Sequence, residues 1–184
     1  MERTKTAIIH AFSELLEEKP YNKITVKDIV ERCQINRNTF YYHFEDIPSL
    51  FQEVVEKESE RLITENYTPH APIECIRPLL LYCLEHKKAF IHVFRYIPME
   101  TLYPSLDQIM RHMVEQYFAL AMQGVNAPQE DIKILIRFFK GTMIGVLIDW
   151  MNNGFSDDII PETEHICELL EGTGKRALLK YQEI

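Results

Sequence analysis

Thr25-Val26-Lys27-Asp28-Ile29 and, seven residues after Ile29, Asn36-Arg37-Asn38-Thr39-Phe40-Tyr41-Tyr42-His43-Phe44 decide how this chain is read. Threonine three residues before an acid forms a capping box, so Thr25 and Asp28 open a short helix whose buried stripe is Val26, Ile29, Val30 and Cys33. Asn36 is placed to cap the next helix, and Ile35 and Phe40 stand at the two positions of a hydrophobic staple. Phe40 and Phe44, four residues apart, claim the core side, which turns Arg37, Asn38, Tyr41 and Tyr42 elsewhere. Two short helices across a tight connection at Gln34, the second presenting hydrogen-bond donors and aromatic rings, make a helix-turn-helix.

Working outward, Ile8, Ala11, Phe12, Leu15 and Leu16 repeat on one helical face, and Pro20 stops that helix. Downstream, Asp46 is positioned to cap a fourth helix with Pro48 in its first turn, running to about Asn66 before Thr68-Pro69-His70-Ala71-Pro72 breaks the chain. Helical patterns then follow without a strand. Pro78 is expected to start or kink one helix, Pro98 and Pro104 to bracket a connection, and Asn153-Gly154 to end a helix over 132–151 that is apolar nearly all round. A last helix starts near Pro161. The expected fold is all-α with about nine helices, residues 1–46 forming a helix-turn-helix domain and residues 47–184 a second helical domain.

Composition agrees with a packed globular chain of 184 residues, 46% hydrophobic and 26% charged with six glycines. The net charge of −8 excludes a general nucleic-acid binder, but the acid is unevenly spread: residues 1–50 hold seven Lys and Arg against eight Asp and Glu, the remainder thirteen against twenty. A DNA-binding N-terminus is therefore allowed. Cys33, Cys75, Cys83 and Cys167 form no C-x-x-C pair and read as buried thiols, the seven histidines lack metal-ligand spacing, and no cofactor or metal site is expected. The N-terminus has no secretory apolar core, and Lys133, Arg137, Lys140 and Asp149 interrupt the longest apolar stretch, so a cytoplasmic protein without a membrane span is expected.

The segments quoted first, with Leu50, resemble the N-terminal signature of TetR-type transcriptional regulators over residues 3–62. Phe138-Phe139-Lys140-Gly141-Thr142-Met143-Ile144-Gly145 with Trp150 and Gly154 is similar to the penultimate helix of that family. The resemblance implies a repressor that binds a palindromic double-stranded DNA operator as a homodimer and is released by a small-molecule effector, with residues 1–46 as its DNA-binding domain and residues 47–184 as its effector-binding and dimerisation domain. Residues 36–43 then enter the major groove. Arg37 and Asn38 read bases, for which their bidentate chemistry towards guanine and adenine is suited. Thr25, Tyr42 and His43 contact phosphates with Lys27 helping, Thr39 and Tyr41 do either, and Asn36 belongs to the same surface. Two positions depart from the family pattern: Gln34 stands where a turn glycine is common, and Ile47 where a phosphate-binding lysine is common.

The resemblance also places the dimer interface on the last two helices, with Gly141, Gly145, Trp150, Ile166 and Leu169 as candidates, the glycines serving equally well for close packing within one subunit. Tyr82, Phe90, Phe94, Met110, Met113 and Tyr117 are candidates for the effector pocket, within a larger aromatic and methionine set that includes Phe138 and that a core also explains. His86, His92, His112 and Arg95 are possible polar partners there. An enzyme is disfavoured: Gly172-Thr173-Gly174-Lys175 lacks the first glycine, the following Ser or Thr and the preceding strand of a phosphate loop. A helical protein-binding module with a vestigial DNA helix is the alternative, and a Cys33 redox sensor a weaker form of it.

Overall fold

The computed structural model describes residues 2–64, 72–121, 127–156, 158–170, 172, 173 and 176. Among these there are nine α-helices, one 3-10 turn and no strand, as the periodicity predicts. Contacts divide the chain into two compact units, one of Met1–Arg61 with Glu85–Ser105, the other of Leu62–Leu84 with Leu106–Ile184.

The first unit begins with α1 (Glu2–Glu18), which buries the five predicted residues Ile8, Ala11, Phe12, Leu15 and Leu16. A 3-10 turn at Tyr21–Lys23 follows Pro20 and leads to α2 (Val26–Arg32). The capping box at α2 forms with both of its bonds, and α3 (Arg37–His43) is capped by Asn36, whose Oδ1 accepts from the Thr39 amide at 2.8 Å. α4 (Ile47–Thr64) opens on a reciprocal pair in which the Ser49 amide donates to Asp46 Oδ1 and the Asp46 amide to Ser49 Oγ. The segment expected to break the chain after it lies outside the described residues. Ile8, Phe12, Ile29, Phe40 and Leu50 meet with no exposure at all, each large apolar side chain contributing about 1.5–3 kcal/mol. α6 (Lys87–Phe94) belongs to this unit: Ala89 and Val93, then Ile97 and Leu102, pack against that cluster.

The second unit contains α5 (Pro72–Glu85) up to Leu84, most of α7 (Met99–Ala121), α8 (Gln129–Asn152) and α9 (Ile159–Leu169). Its core includes Ile76, Leu80, Met110, Met113, Ile144, Leu147, Trp150 and Ile159. Lys140 of α8, nearly buried, is neutralised by Asp107 of α7, and Arg77 of α5 pairs with Glu164 of α9. α8 ends at Gly154 and Phe155, both with positive φ (79° and 58°), and the Phe155 amide bonds back to the Trp150 carbonyl at 3.0 Å. Phe155 tolerates that backbone because its ring is buried against the Trp150 indole, 4.9 Å between centroids.

One proline expectation needs correction: Pro104 lies inside α7, which starts at Met99, so it does not bracket a connection, while Pro78 lies inside α5, which starts at Pro72, and so does not start that helix. Each proline removes one amide donor. Pro104 does so near the start of α7, where few intrahelical bonds have yet formed.

Candidate nucleic-acid interface

The turn between α2 and α3 answers the question raised by Gln34. Its φ is 53°, the left-handed conformation a glycine adopts without cost, and the Ile35 amide bonds to the Val30 carbonyl at 3.0 Å, closing a Schellman motif. The geometry of a glycine turn is thus kept with a glutamine in it. Ile47 is half-buried and packs against the core, so the position where a lysine is common is spent on packing.

α3 projects its polar side cleanly. Arg37 and Asn38 are exposed and bond to nothing among the described residues, while Tyr41 and Tyr42 are 56% and 66% exposed, large for aromatic rings. His43 is half-buried between the rings of Tyr42 and Phe44. Thr25, Asn36 and Thr39 are engaged locally: Thr25 Oγ1 donates to Asp28 Oδ2 at 2.6 Å, and Asn36 Oδ1 also accepts from Thr39 Oγ1 at 3.1 Å. These three side chains hold the two helix starts.

The cations around α3 are mostly spoken for. Lys19 lies 2.8 Å from Asp28, Lys27 3.7 Å from Glu31, and Lys5 2.6 Å from Glu53. The Arg32 guanidinium donates both outer nitrogens to the Glu18 carboxylate, each at 2.6 Å. The Lys19 ammonium, then the Thr25 hydroxyl, holds the Asp28 carboxyl well down, to about 2. Lys23, exposed two residues before Thr25, and Arg37 have no carboxylate partner among the described residues. Lys23 lies in a short link that carries no apolar pattern, and only its closeness to the capped start of α2 marks it in the sequence.

Comparison with known proteins supplies the family. The pattern described as "Bacterial regulatory proteins, tetR family" matches residues 8–54, and one described as "Transcriptional regulator C-terminal region" matches residues 71–172, more than half of the chain. The chain belongs to the tetR family. This tetR-family chain is 33% identical over 63 residues to the "HTH-type dhaKLM operon transcriptional activator DhaS" of Lactococcus lactis, a match covering 34% of each protein. It is 23% identical over 160 residues to the regulator YxbF of Bacillus subtilis, of whose length 40% is covered. The "Probable acrEF/envCD operon repressor" of Escherichia coli K12 is 24% identical over 195 residues, with 90% of this chain and 87% of that protein covered. The chain thus spans well under two thirds of the first two relatives and most of the third. Among solved structures, "Dihydroxyacetone kinase operon activator DhaS" superposes with a TM-score of 0.78 at 19% identity, covering 95% of this chain and 98% of that one. A tetR-family regulator from Streptomyces coelicolor gives 0.69 at 15% identity; at such identities the likeness is one of fold.

The other predicted residues fall in different places. Phe90 and Phe94 lie on α6 in the first unit, whereas Tyr82, Met110, Met113 and Tyr117 lie in the second, the methionines fully buried and the tyrosines half-buried. His86 and His92, considered as pocket groups, instead bond α1 within the first unit. On α8, Gly141 and Gly145 are exposed, and among the described residues no atom outside the helix's own backbone and chain neighbours lies within 4 Å of where a side chain would begin. Ile134 and Phe138, 58% and 61% exposed, continue the same helical face, and Leu169 of α9 is 70% exposed. Trp150 is not on that surface: it is buried, and its indole N–H donates to the Ser156 carbonyl at 2.6 Å. Ile166 is half-buried. Among the described residues no helix is long and apolar enough to cross a membrane.

Proposed function

We propose that the chain is a sequence-specific, homodimeric DNA-binding repressor that reads a palindromic operator through α3. The observation that carries this reading is the uncommitted polar face of α3: Arg37 and Asn38 have bidentate chemistry suited to guanine and adenine edges and no partner among the described residues. Tyr41 stands beside them for apolar contact with a base. Tyr42, His43, Lys27 and Lys23 supply phosphate contacts, while Thr25, Asn36 and Thr39 set the two helices. Relatives are named both as activator and as repressor, and the one whose sequence is matched over most of its length is named a repressor, which supports that sign here. Selection from random duplexes tests the reading: an enriched inverted repeat supports it, and a pool without enrichment overturns it.

The dimer is formed through α8 and α9. Ile134, Phe138, Gly141 and Gly145 recur at helical spacing along one exposed strip, and exposed isoleucine and phenylalanine on one strip are apolar surface that a second copy would shield. Open space above both glycines lets a partner helix approach closely. A small-molecule effector binds in the second unit beside Met110, Met113, Tyr82 and Tyr117, where polarizable side chains adapt to an apolar ligand. Its occupancy lowers operator affinity.

A further inference from the structure

The last turn of α1 runs into a proline. In an α-helix the Leu16 carbonyl accepts from the amide of residue 20, and Pro20 has no amide hydrogen. The Lys19 amide still reaches the Leu15 carbonyl at 3.0 Å, so the Leu16 carbonyl is the one that the proline strands. It is satisfied from another helix: His92 Nδ1 of α6 lies 2.6 Å from it, in part-buried surroundings. A carbonyl oxygen only accepts, so Nδ1 carries the hydrogen. At the start of α6, His86 Nδ1 lies 2.9 Å from Glu17 Oε1. Ala89 and Val93, on the helix between and beyond these histidines, pack into the core.

Four consecutive residues, Leu16 to Glu18 at the end of α1 and Lys19 just after it, therefore bond to other helices. Leu16 and Glu17 are held by α6, and Glu18 and Lys19 hold α2 through Arg32 and Asp28. We infer that His92 and His86 clasp α6 to this turn of α1, His92 Nδ1–H replacing the bond that Pro20 cannot make, and that the clasp positions α2 and α3 for DNA. His92 is in this sense a positioning residue, and its role rests on the DNA reading proposed above.

Three substitutions separate the bond from mere bulk, because asparagine offers a nitrogen near the place of Nδ1, glutamine near that of Nε2, and phenylalanine neither. His92→Phe and His92→Gln are expected to weaken binding to the selected operator by roughly three- to tenfold, while His92→Asn binds as the parent does. Circular dichroism and sedimentation stay unchanged throughout. In the unliganded protein labelled with 15N-histidine, neutral His92 is expected in the Nδ1–H tautomer. An Nε2–H tautomer, or His92→Asn no better than His92→Gln, overturns the bond. A lowered melting temperature in His92→Phe with unchanged operator affinity overturns the positioning role. If the parent protein selects no operator, the DNA reading fails instead, and the tautomer, which needs no DNA, still decides the bond.

Discussion

Arg37 is the side chain on which the functional reading turns. Arg37→Ala should cost about 1–3 kcal/mol of operator binding and relax preference at one base pair per half-site, measured by titration of operator and base-substituted duplexes. Unchanged affinity across the set would remove Arg37 from readout. Gln34 makes a different prediction, because its φ of 53° strains a residue with a Cβ while glycine pays more chain entropy. Gln34→Gly should raise stability by about 1 kcal/mol in denaturant unfolding, with DNA binding intact. Among the described residues the cysteines argue against redox control: burial raises the Cys33 and Cys167 thiols and pushes Cys83 up to about 12. All three stay protonated at neutral pH, so mild peroxide should leave operator binding unchanged, whereas release that vanished in Cys33→Ser would revive a sensor.

At the scale of elements, the capping box at α2 is the most exposed dependency. Thr25→Ala removes the hydroxyl that accepts from the Asp28 amide and should cost about 1 kcal/mol in unfolding. The same box carries a pH dependence. The folded Asp28 carboxyl is lowered to about 2 against an ordinary 3.8, so its stabilisation is present above pH about 4 and is lost as pH falls through about 2. Asp28→Asn should flatten the acid limb of a stability–pH curve, and since both side chains of the Lys19–Asp28 pair are partly exposed the effect is modest. For α8, Gly141→Ala should strengthen the isolated helix by up to about 1 kcal/mol yet weaken self-association, because the added methyl meets nothing among the described residues of its own subunit. Strengthened or unchanged self-association would place the interface elsewhere.

For the whole molecule, Phe138→Glu puts a charge at the centre of the exposed α8 strip and should convert a dimer to a monomer by sedimentation at micromolar concentration, with loss of operator binding. The charge arrangement sets the salt response. Lys5, Lys19 and Arg32 are held by carboxylates, which leaves Lys23, and Lys27 with only a loose 3.7 Å pairing to Glu31, to meet phosphates while Arg37 reads bases. From a dimer that is about four contacts, and log affinity should fall with log salt with a slope of about −4, shallower than for a strongly basic repressor.

What the sequence alone determined follows from local rules. The α1 stripe, the caps at Thr25, Asn36 and Asp46 and the stop after Asn153 depend on residues within a few positions of one another, and each stands where its pattern puts it. Gln34 was visible as a departure, but only the backbone showed that the turn keeps the left-handed geometry of glycine. Periodicity failed on α8, since a helix apolar all round gives no sign of which apolar residues lack cover; burial separated Trp150 in the core from Ile134 and Phe138 outside it. Local rules also made Pro104 a boundary, whereas α7 runs through it. The placing of α6 against α1, and with it the meeting of His92 with the carbonyl stranded by Pro20, joins residues 76 positions apart. No local pattern encodes such a contact, because it exists only once apolar burial has packed two distant helices together.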